Sequence, residues 1–426
     1  MEAFKKMSEE SDKSLKKPAE IIKETVFSIS KPDKAILKEA QIRLDNLTKP
    51  LGSLGRLEEL AKQIASITGK INTSLSKKLM VVMAADHGVV KEGVSAYPSE
   101  VTVQMVYNFL RGGAAINVLA DHIGADVVVV DVGVNGRIEL ESFIKNLKDS
   151  GHSDLSVKGN SKDVEKIGDS LGTNSKKEMS DRQNLQAYFK TSGVLGLPFF
   201  IDKKIAPGTE NIANGPAMTR SQAEQAISTG IEVACEMIDL GYKIIGTGDM
   251  GIGNTTASSA IAACICSLDP SLVTGYGTGI DEEGFKRKVE VIRQAININK
   301  PDKNDGIDVL SKIGGFEIGA IAGIILGSAF KKTPVVIDGF ISGAAALIAE
   351  AISADSRDYM IASHCSVEKG HKKILEKLDL KPLFNFDLRL GEGTGAALGI
   401  SVAEAAMKIL NEMATFDSAG VSKKNE

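Results

Sequence analysis

The chain has 426 residues, 43% of them hydrophobic, with 51 Lys and Arg against 55 Asp and Glu and a formal net charge of −4. So small an acidic excess offers no broad attraction for nucleic acid or an anionic membrane, and the length allows one large domain plus a smaller one, or two equals. Four cysteines, two of them close together as Cys264 and Cys266, make neither a disulfide framework nor the spaced pairs of a zinc site, so small-molecule chemistry in a reducing cytoplasm is expected.

Residues 1–32 are rich in Lys, Glu and Ser and read as a mobile extension or a weak helix, without the apolar core of a signal peptide, the fold beginning near Lys31. From Pro32 to Gly69, Leu37, Ile42, Leu44, Leu47, Leu57, Leu60 and Ile64 recur at roughly helical spacing, broken by the turn Lys49-Pro50-Leu51-Gly52. That pattern predicts two helices joined by a tight loop. Short β-branched or apolar runs follow at 79–84, 126–131, 243–245, 334–337 and 359–362, most of them separated by helical patterns. Buried strands alternating with helices predict an α/β fold with a parallel sheet covered on both faces. Residues 136–190 break the pattern with a long polar stretch and read as a surface insertion or a partner-binding element. The run 318–330 is too short and glycine-rich to span a membrane and reads as a buried helix, and residues 415–426 read as a polar, mobile tail.

The chemistry gathers where strands end. Residues 389–396, Arg-Leu-Gly-Glu-Gly-Thr-Gly-Ala, set Glu392 among alternate glycines as the one sizeable side chain at the loop's centre, which makes it the first candidate for a general base. After the first strand, Asp86 and His87 fit two readings, a catalytic pair or a satisfied structural hydrogen bond. Ser95, Tyr97 and Gln104 offer an aromatic face and polar groups suited to a planar heterocycle. The third predicted strand runs into Gly246-Thr247-Gly248-Asp249-Met250-Gly251-Ile252-Gly253-Asn254-Thr255-Thr256. This contains a G-x-G-x-x-G match, with Asp269 at roughly the spacing of a ribose-binding acid, yet it lies far from the first strand, where a dinucleotide site would place it. Glycines followed by Asn-Thr-Thr at a helix start suit a phosphate without any dinucleotide. Lys286, Arg287 and Lys288 could neutralise that phosphate or lie on a solvated helix face. His364 and His371 match no compact metal spacing, no metal or other cofactor is expected, and Cys365 has no identifiable base.

Six strings then occur in one order: Asp86-His87-Gly88-Val89, Gly112-Gly113-Ala114-Ala115-Ile116-Asn117, Asp249-Met250-Gly251-Ile252-Gly253-Asn254-Thr255-Thr256, Gly314-Gly315-Phe316-Glu317-Ile318, Asp338-Gly339-Phe340-Ile341-Ser342 and Gly391-Glu392-Gly393-Thr394-Gly395. In that order the chain resembles the nicotinate-nucleotide:dimethylbenzimidazole phosphoribosyltransferases over about residues 33–410. The resemblance implies transfer of phosphoribose from nicotinate mononucleotide to 5,6-dimethylbenzimidazole, with Glu392 as the base. Asp249, where relatives often carry Glu, becomes an auxiliary carboxylate. It further implies a phosphate-facing loop of Gly251, Gly253 and Asn254, further substrate contacts at Lys288, Gly339 and Ser366, and a benzimidazole pocket that includes Ser95, Tyr97 and Gln104. The implied architecture is a Rossmann-like three-layer α/β/α domain over 76–375. A small helical domain would be built from 33–75 and 376–414, and the usual state is a homodimer.

Two other classes fit parts of the sequence. A nicotinamide-cofactor oxidoreductase would use the glycines at 246–251, and a non-catalytic benzimidazole or nucleotide carrier would use the same pocket without turnover.

Overall fold

The computed structural model describes residues 16–140, 143, 199–277 and 279–422. Three helices open it: α1 (Pro18–Ser28), α2 (Lys34–Asp45) and α3 (Arg56–Thr68). The last two are the helices that the apolar spacing predicts, and the intervening turn is held by a buried ion pair from Lys49 Nζ to Glu58 Oε1 at 2.8 Å. The first decides between the two readings of the N-terminal stretch and corrects the mobile one. Residues 18–28 are not a mobile extension, because α1 buries Ile22 and the segment after it buries Ile29 and hands the Ser30 carbonyl to the Tyr359 hydroxyl at 2.6 Å.

The chain then alternates strand and helix: β1 (Lys78–Ala85), α4 (Glu100–Leu110), α5 (Ala115–Ile123), β2 (Ala125–Gly133), β3 (Phe199–Asp202), α6 (Arg220–Asp239), β4 (Ile244–Met250) and α7 (Asn254–Cys266). After these come α8 (Pro270–Val273), α9 (Glu282–Asn299), α10 (Gly306–Ile313), α11 (Phe316–Phe330), β5 (Val335–Ile337), α12 (Phe340–Ile352), β6 (Met360–Ala362), α13 (Lys369–Leu378), α14 (Thr394–Glu412) and α15 (Phe416–Ala419). Asp33, Thr219, Asp281 and Asp305 each cap a helix start by accepting from its first backbone N–H groups. Most of the 136–190 stretch lies outside the described residues. The 415–426 tail is not wholly free: Thr415 bridges to Leu47, and the Phe416 N–H donates to the Asn46 carbonyl at 3.0 Å.

The six strands form one parallel sheet in the order β3-β2-β1-β4-β5-β6. Alternation along β1 splits the interior in two: Leu79, Val81, Met83 and Ala85 face one core, and Met80, Val82 and Ala84 the other. On the first face α6 crosses α11 with almost no side chain between them, and a Cβ on Gly323 would stand 2.1 Å from the Ile227 carbonyl oxygen. On the second face Leu44, Leu60 and Ile64 from α2 and α3 join Ile400, Met407 and Leu410 of α14 in the same core as the sheet. The Arg43 guanidinium ties these segments by donating to the carbonyls of Leu410 and Asn411 at 2.5 and 2.9 Å.

Two features differ from the sequence expectation. Strand β3 is additional, and β4 continues through Gly246, Thr247 and Gly248 to Met250 instead of ending at Ile245. The glycine match therefore has its first two glycines inside a strand and is not a dinucleotide-binding turn. Asp269 closes no strand either. It caps α8 by accepting from the Ser271 N–H at 2.9 Å and pairs with Arg293.

Candidate active site

In a sheet of this order the connections leave β1 and β4 in opposite directions, and the crevice between their carboxyl ends is where a ligand fits. A cavity of about 450 Å³ opens there. Tyr97, Val101, Met105, Phe340 and Ile341 supply an apolar wall, while Asp249, Asp338, His364, Arg389 and Glu392 bring polar groups to the same space.

Glu392 is held by backbone geometry. Gly391, Glu392 and Gly393 all adopt positive φ, at +83°, +61° and +97°. For the glutamate this left-handed conformation costs about 1–2 kcal/mol, so the surroundings must over-determine it. The loop lies directly on β4, where a Cβ on Gly248 would come within 2.3 Å of the Glu392 carbonyl oxygen. The side chain is 7% exposed and reaches the start of α5, where the Ile116 N–H donates to Oε2 across a long 3.4 Å and the Ala115 N–H adds to it. Burial raises this carboxyl above its ordinary range, and the two N–H groups oppose the rise without cancelling it. The result is a carboxylate more basic than a solvated one yet still favoured as an anion by the helix end, as suits a proton acceptor.

Asp249 ends β4 on the other side of the loop. Its Oδ2 accepts from the Asn254 side-chain amide at 2.9 Å. Burial first, then the negative fields of Asp338, Glu317 and Glu392, raises its carboxyl well above the usual range despite that bond. Asp249 is therefore a weaker acid than a solvated carboxyl group. Asp338, on the cavity wall after β5, is pushed up to about 7 by burial against several backbone N–H donors.

The other expected residues divide. Gly251, Asn254, Gly339 and Ser366 line the cavity with Tyr97, but the Asn254 amide is spent on Asp249 and the Ser366 hydroxyl donates to the Leu388 carbonyl at 3.0 Å. Several backbone N–H groups expected to be free at the start of α7 are also engaged: Ile252 donates to Thr102 Oγ1, and Asn254 and Thr256 donate to the carbonyls of Gly251 and Gly253. Gly253 packs behind the wall, against Val90 and His87. Lys288 is 1% exposed and stands behind Thr255, donating to its hydroxyl at 2.8 Å, and burial lowers its ammonium to about 8. Lys286 and Arg287, by contrast, are not buried. Ser95 turns its hydroxyl to the Tyr97 N–H, and Gln104 is exposed on α4 away from the cavity lining.

Asp86 and His87 do not pair with each other. The Asp86 carboxylate accepts from the Thr102 hydroxyl and the Asn135 N–H, both at 2.7 Å, while His87 Nε2 meets Glu317 Oε1 at 2.6 Å in full burial. His364 lines the cavity, whereas His371 Nδ1 accepts the Ser366 N–H at 2.9 Å and holds that turn in place. Arg389 and Asp338 were both within quoted strings but given no role by sequence reasoning. Only the fold puts them on the wall with Glu392.

A family model described as a phosphoribosyltransferase matches residues 29–421. The enzyme named nicotinate-nucleotide--dimethylbenzimidazole phosphoribosyltransferase from Roseiflexus sp. (strain RS-1) is 49% identical, across 95% of this chain and 99% of its own length. The chain belongs to this phosphoribosyltransferase family. The relative of the same name from Geobacter metallireducens is 46% identical, across 95% of this phosphoribosyltransferase chain and 98% of its own. A crystal structure of the Thermus thermophilus enzyme of that name superposes with a TM-score of 0.75 at 39% identity, covering 92% of this chain and all of that one. The family match begins at residue 29, directly after α1, which is docked on the first face of the sheet.

Proposed function

We propose that this enzyme transfers 5-phosphoribose from nicotinate mononucleotide to 5,6-dimethylbenzimidazole, giving nicotinate and α-ribazole 5′-phosphate for cobalamin nucleotide-loop assembly. The observation that carries the mechanism is the Glu392 carboxylate, buried at the cavity wall and held at a helix start by a loop that forces it into a left-handed backbone.

In the donor the nicotinate ring is a pyridinium, so it leaves the anomeric carbon without needing a proton. One benzimidazole nitrogen attacks that carbon from the opposite face and inverts it. The other nitrogen then becomes acidic, and Glu392 accepts its proton. Asp249, its carboxyl raised by burial and by neighbouring carboxylates, is an auxiliary group within the same pocket, ranked below Glu392. The apolar wall at Tyr97, Val101, Met105 and Phe340 suits a flat bicyclic ring. The phosphate is assigned to the side of Arg389 and Thr255, with Lys288 supplying positive charge through the Thr255 hydroxyl. A homodimer in the cytoplasm belongs to the same reading. General-base assistance contributes about 10²–10⁴ in rate, and holding the two rings in line contributes the larger share.

The test is chromatography of the protein incubated with nicotinate mononucleotide and 5,6-dimethylbenzimidazole. Nicotinate and the ribosylated base should appear in equal amounts, and nicotinate alone would mean hydrolysis. Glu392→Gln should lower kcat by about 10²-fold or more with little change in KM. A variant with near-normal turnover would remove Glu392 from the chemistry.

A further inference from the structure

The Glu392 loop is mounted on a second carboxylate that the reaction itself does not use. Asp338 follows β5 and is 1% exposed. Its backbone is fixed from both neighbouring strands: its N–H donates to the Thr247 hydroxyl of β4 at 3.3 Å, and its carbonyl accepts from the Ser363 hydroxyl beyond β6 at 3.0 Å. From this mount the side chain crosses to the start of α14, where Oδ1 accepts the Ala396 N–H at 3.0 Å, and the N–H groups of Gly393 and Gly395 also favour the anion. Those residues directly follow Glu392. Among the described residues, the opposite carboxylate oxygen, Oδ2, is buried without a hydrogen-bond partner.

A buried carboxylate with one oxygen unpaired is costly, and a helix start could be capped more cheaply by a Ser or Asp within its own loop. Here the local cap position is Gly393, at φ +97° and with no side chain to cap anything. Thr394 closes the turn only onto itself, its hydroxyl donating to the Gly391 carbonyl at 2.9 Å. That clasp fixes the shape of the loop but not where it stands above the sheet. Among the described residues, the side-chain hydrogen bond that ties the start of α14 to the sheet's carboxyl edge is that of the Asp338 carboxylate, beside the packing of the loop on Gly248. Gly395 permits it, since a Cβ there would fall 2.9 Å from Asp338 Oδ1 and 2.0 Å from His364 Nδ1.

We propose that Asp338 is a positioning residue for the transfer, gripping the start of α14 so that the left-handed Glu392 presents its carboxylate at one fixed place on the cavity wall. This rests on Glu392 being the base. Displacing a reacting group by about 1 Å costs on the order of 10²-fold in rate. Loss of the grip should therefore fall on kcat and spare the affinity for nicotinate mononucleotide.

The experiment compares Asp338→Ala and Asp338→Asn, each alone and combined with Glu392→Gln, by steady-state kinetics and by amide hydrogen exchange across 393–396. Asn keeps an oxygen where Oδ1 sits and places its NH₂ where Oδ2 has no partner, so it preserves the fold and most of the grip. Asp338→Ala should lower kcat on the order of 10²-fold with KM for nicotinate mononucleotide within about threefold, and Asp338→Asn should recover most of that loss. In the Glu392→Gln background the Asp338→Ala change should cost less than about twofold, because the group it positions is already gone. Equal losses in both backgrounds would overturn the proposal, as would undiminished turnover of Asp338→Ala. If Glu392→Gln alone keeps full activity, the base reading fails on its own, and hydrogen exchange then decides the grip. Faster exchange at 393–396 in Asp338→Ala than in Asp338→Asn upholds it, and identical exchange refutes it.

Discussion

The ionisable groups at and behind the cavity wall have been moved in opposite directions, chiefly by burial. Burial raises Asp338 to about 7 and holds Asp249 and Glu392 above their usual range, while it lowers His364 to about 4 and His371 to about 3. For a histidine whose folded value is lowered, the unfolded chain takes up the proton first. Its contribution to stability is intact above the ordinary 6.5 and is lost as pH falls from there toward about 3. His371→Asn can still accept the Ser366 N–H, so the stability difference between wild type and this variant should shrink between pH 7.5 and about pH 4.5. Urea unfolding at the two pH values measures it, and parallel losses in both proteins would exclude His371 as the source. The residues that line the cavity were unevenly legible. Glu392 stood out because its neighbours are glycines, and Tyr97 because an aromatic follows a strand end. Asp338 and Arg389 did not, since no local spacing relates either to the cavity. Ser95 and Gln104 were read into the pocket from their polar side chains and from the resemblance, whereas the Ser95 hydroxyl accepts from the Tyr97 N–H and Gln104 is exposed outside the cavity lining.

At the level of elements, the strands were read from β-branched runs, which worked wherever side chains fill the space between layers. That rule stops β4 at Ile245, because glycine is a poor strand former. The glycines are there because neighbours come too close for a side chain: Gly246 lies under Met80 and Gly248 under the Glu392 carbonyl. The same logic governs the crossing of α6 and α11. Gly323→Ala should destabilise the fold by about 1–3 kcal/mol or more, through overpacking against the Ile227 carbonyl. Because the crossing lies away from the cavity lining, kcat at moderate temperature should hold. Denaturant midpoint and turnover measured on one preparation test both parts, and an unchanged midpoint would mean that the helices separate at little cost.

Across the molecule, the strand order places the site more firmly than any motif does. A parallel sheet was foreseeable from alternating runs and helices, but the order 3-2-1-4-5-6 was not, because it depends on which strands pair over long separations. The N-terminal helix was left open against a mobile extension for a different reason. Its polar residues outnumber the few it buries, so α1 has little core signature of its own and is held by the helices it meets, α6 and α11. Removing residues 1–30 should therefore lower the melting temperature by uncovering the apolar surface beneath Ile22 and Ile29, while kcat and KM stay near wild type. Loss of turnover in a protein that remains folded would show that α1 reaches the chemistry.

The left-handed backbone at Glu392 sets two pressures on this protein against each other. Glycine would relax that residue and remove a buried acid from the interior, so a library sorted only for heat resistance would drift toward glycine there and discard the catalyst. Directed evolution of this scaffold has to be scored by nicotinate release from the first round, because at this one position endurance and chemistry reward different residues.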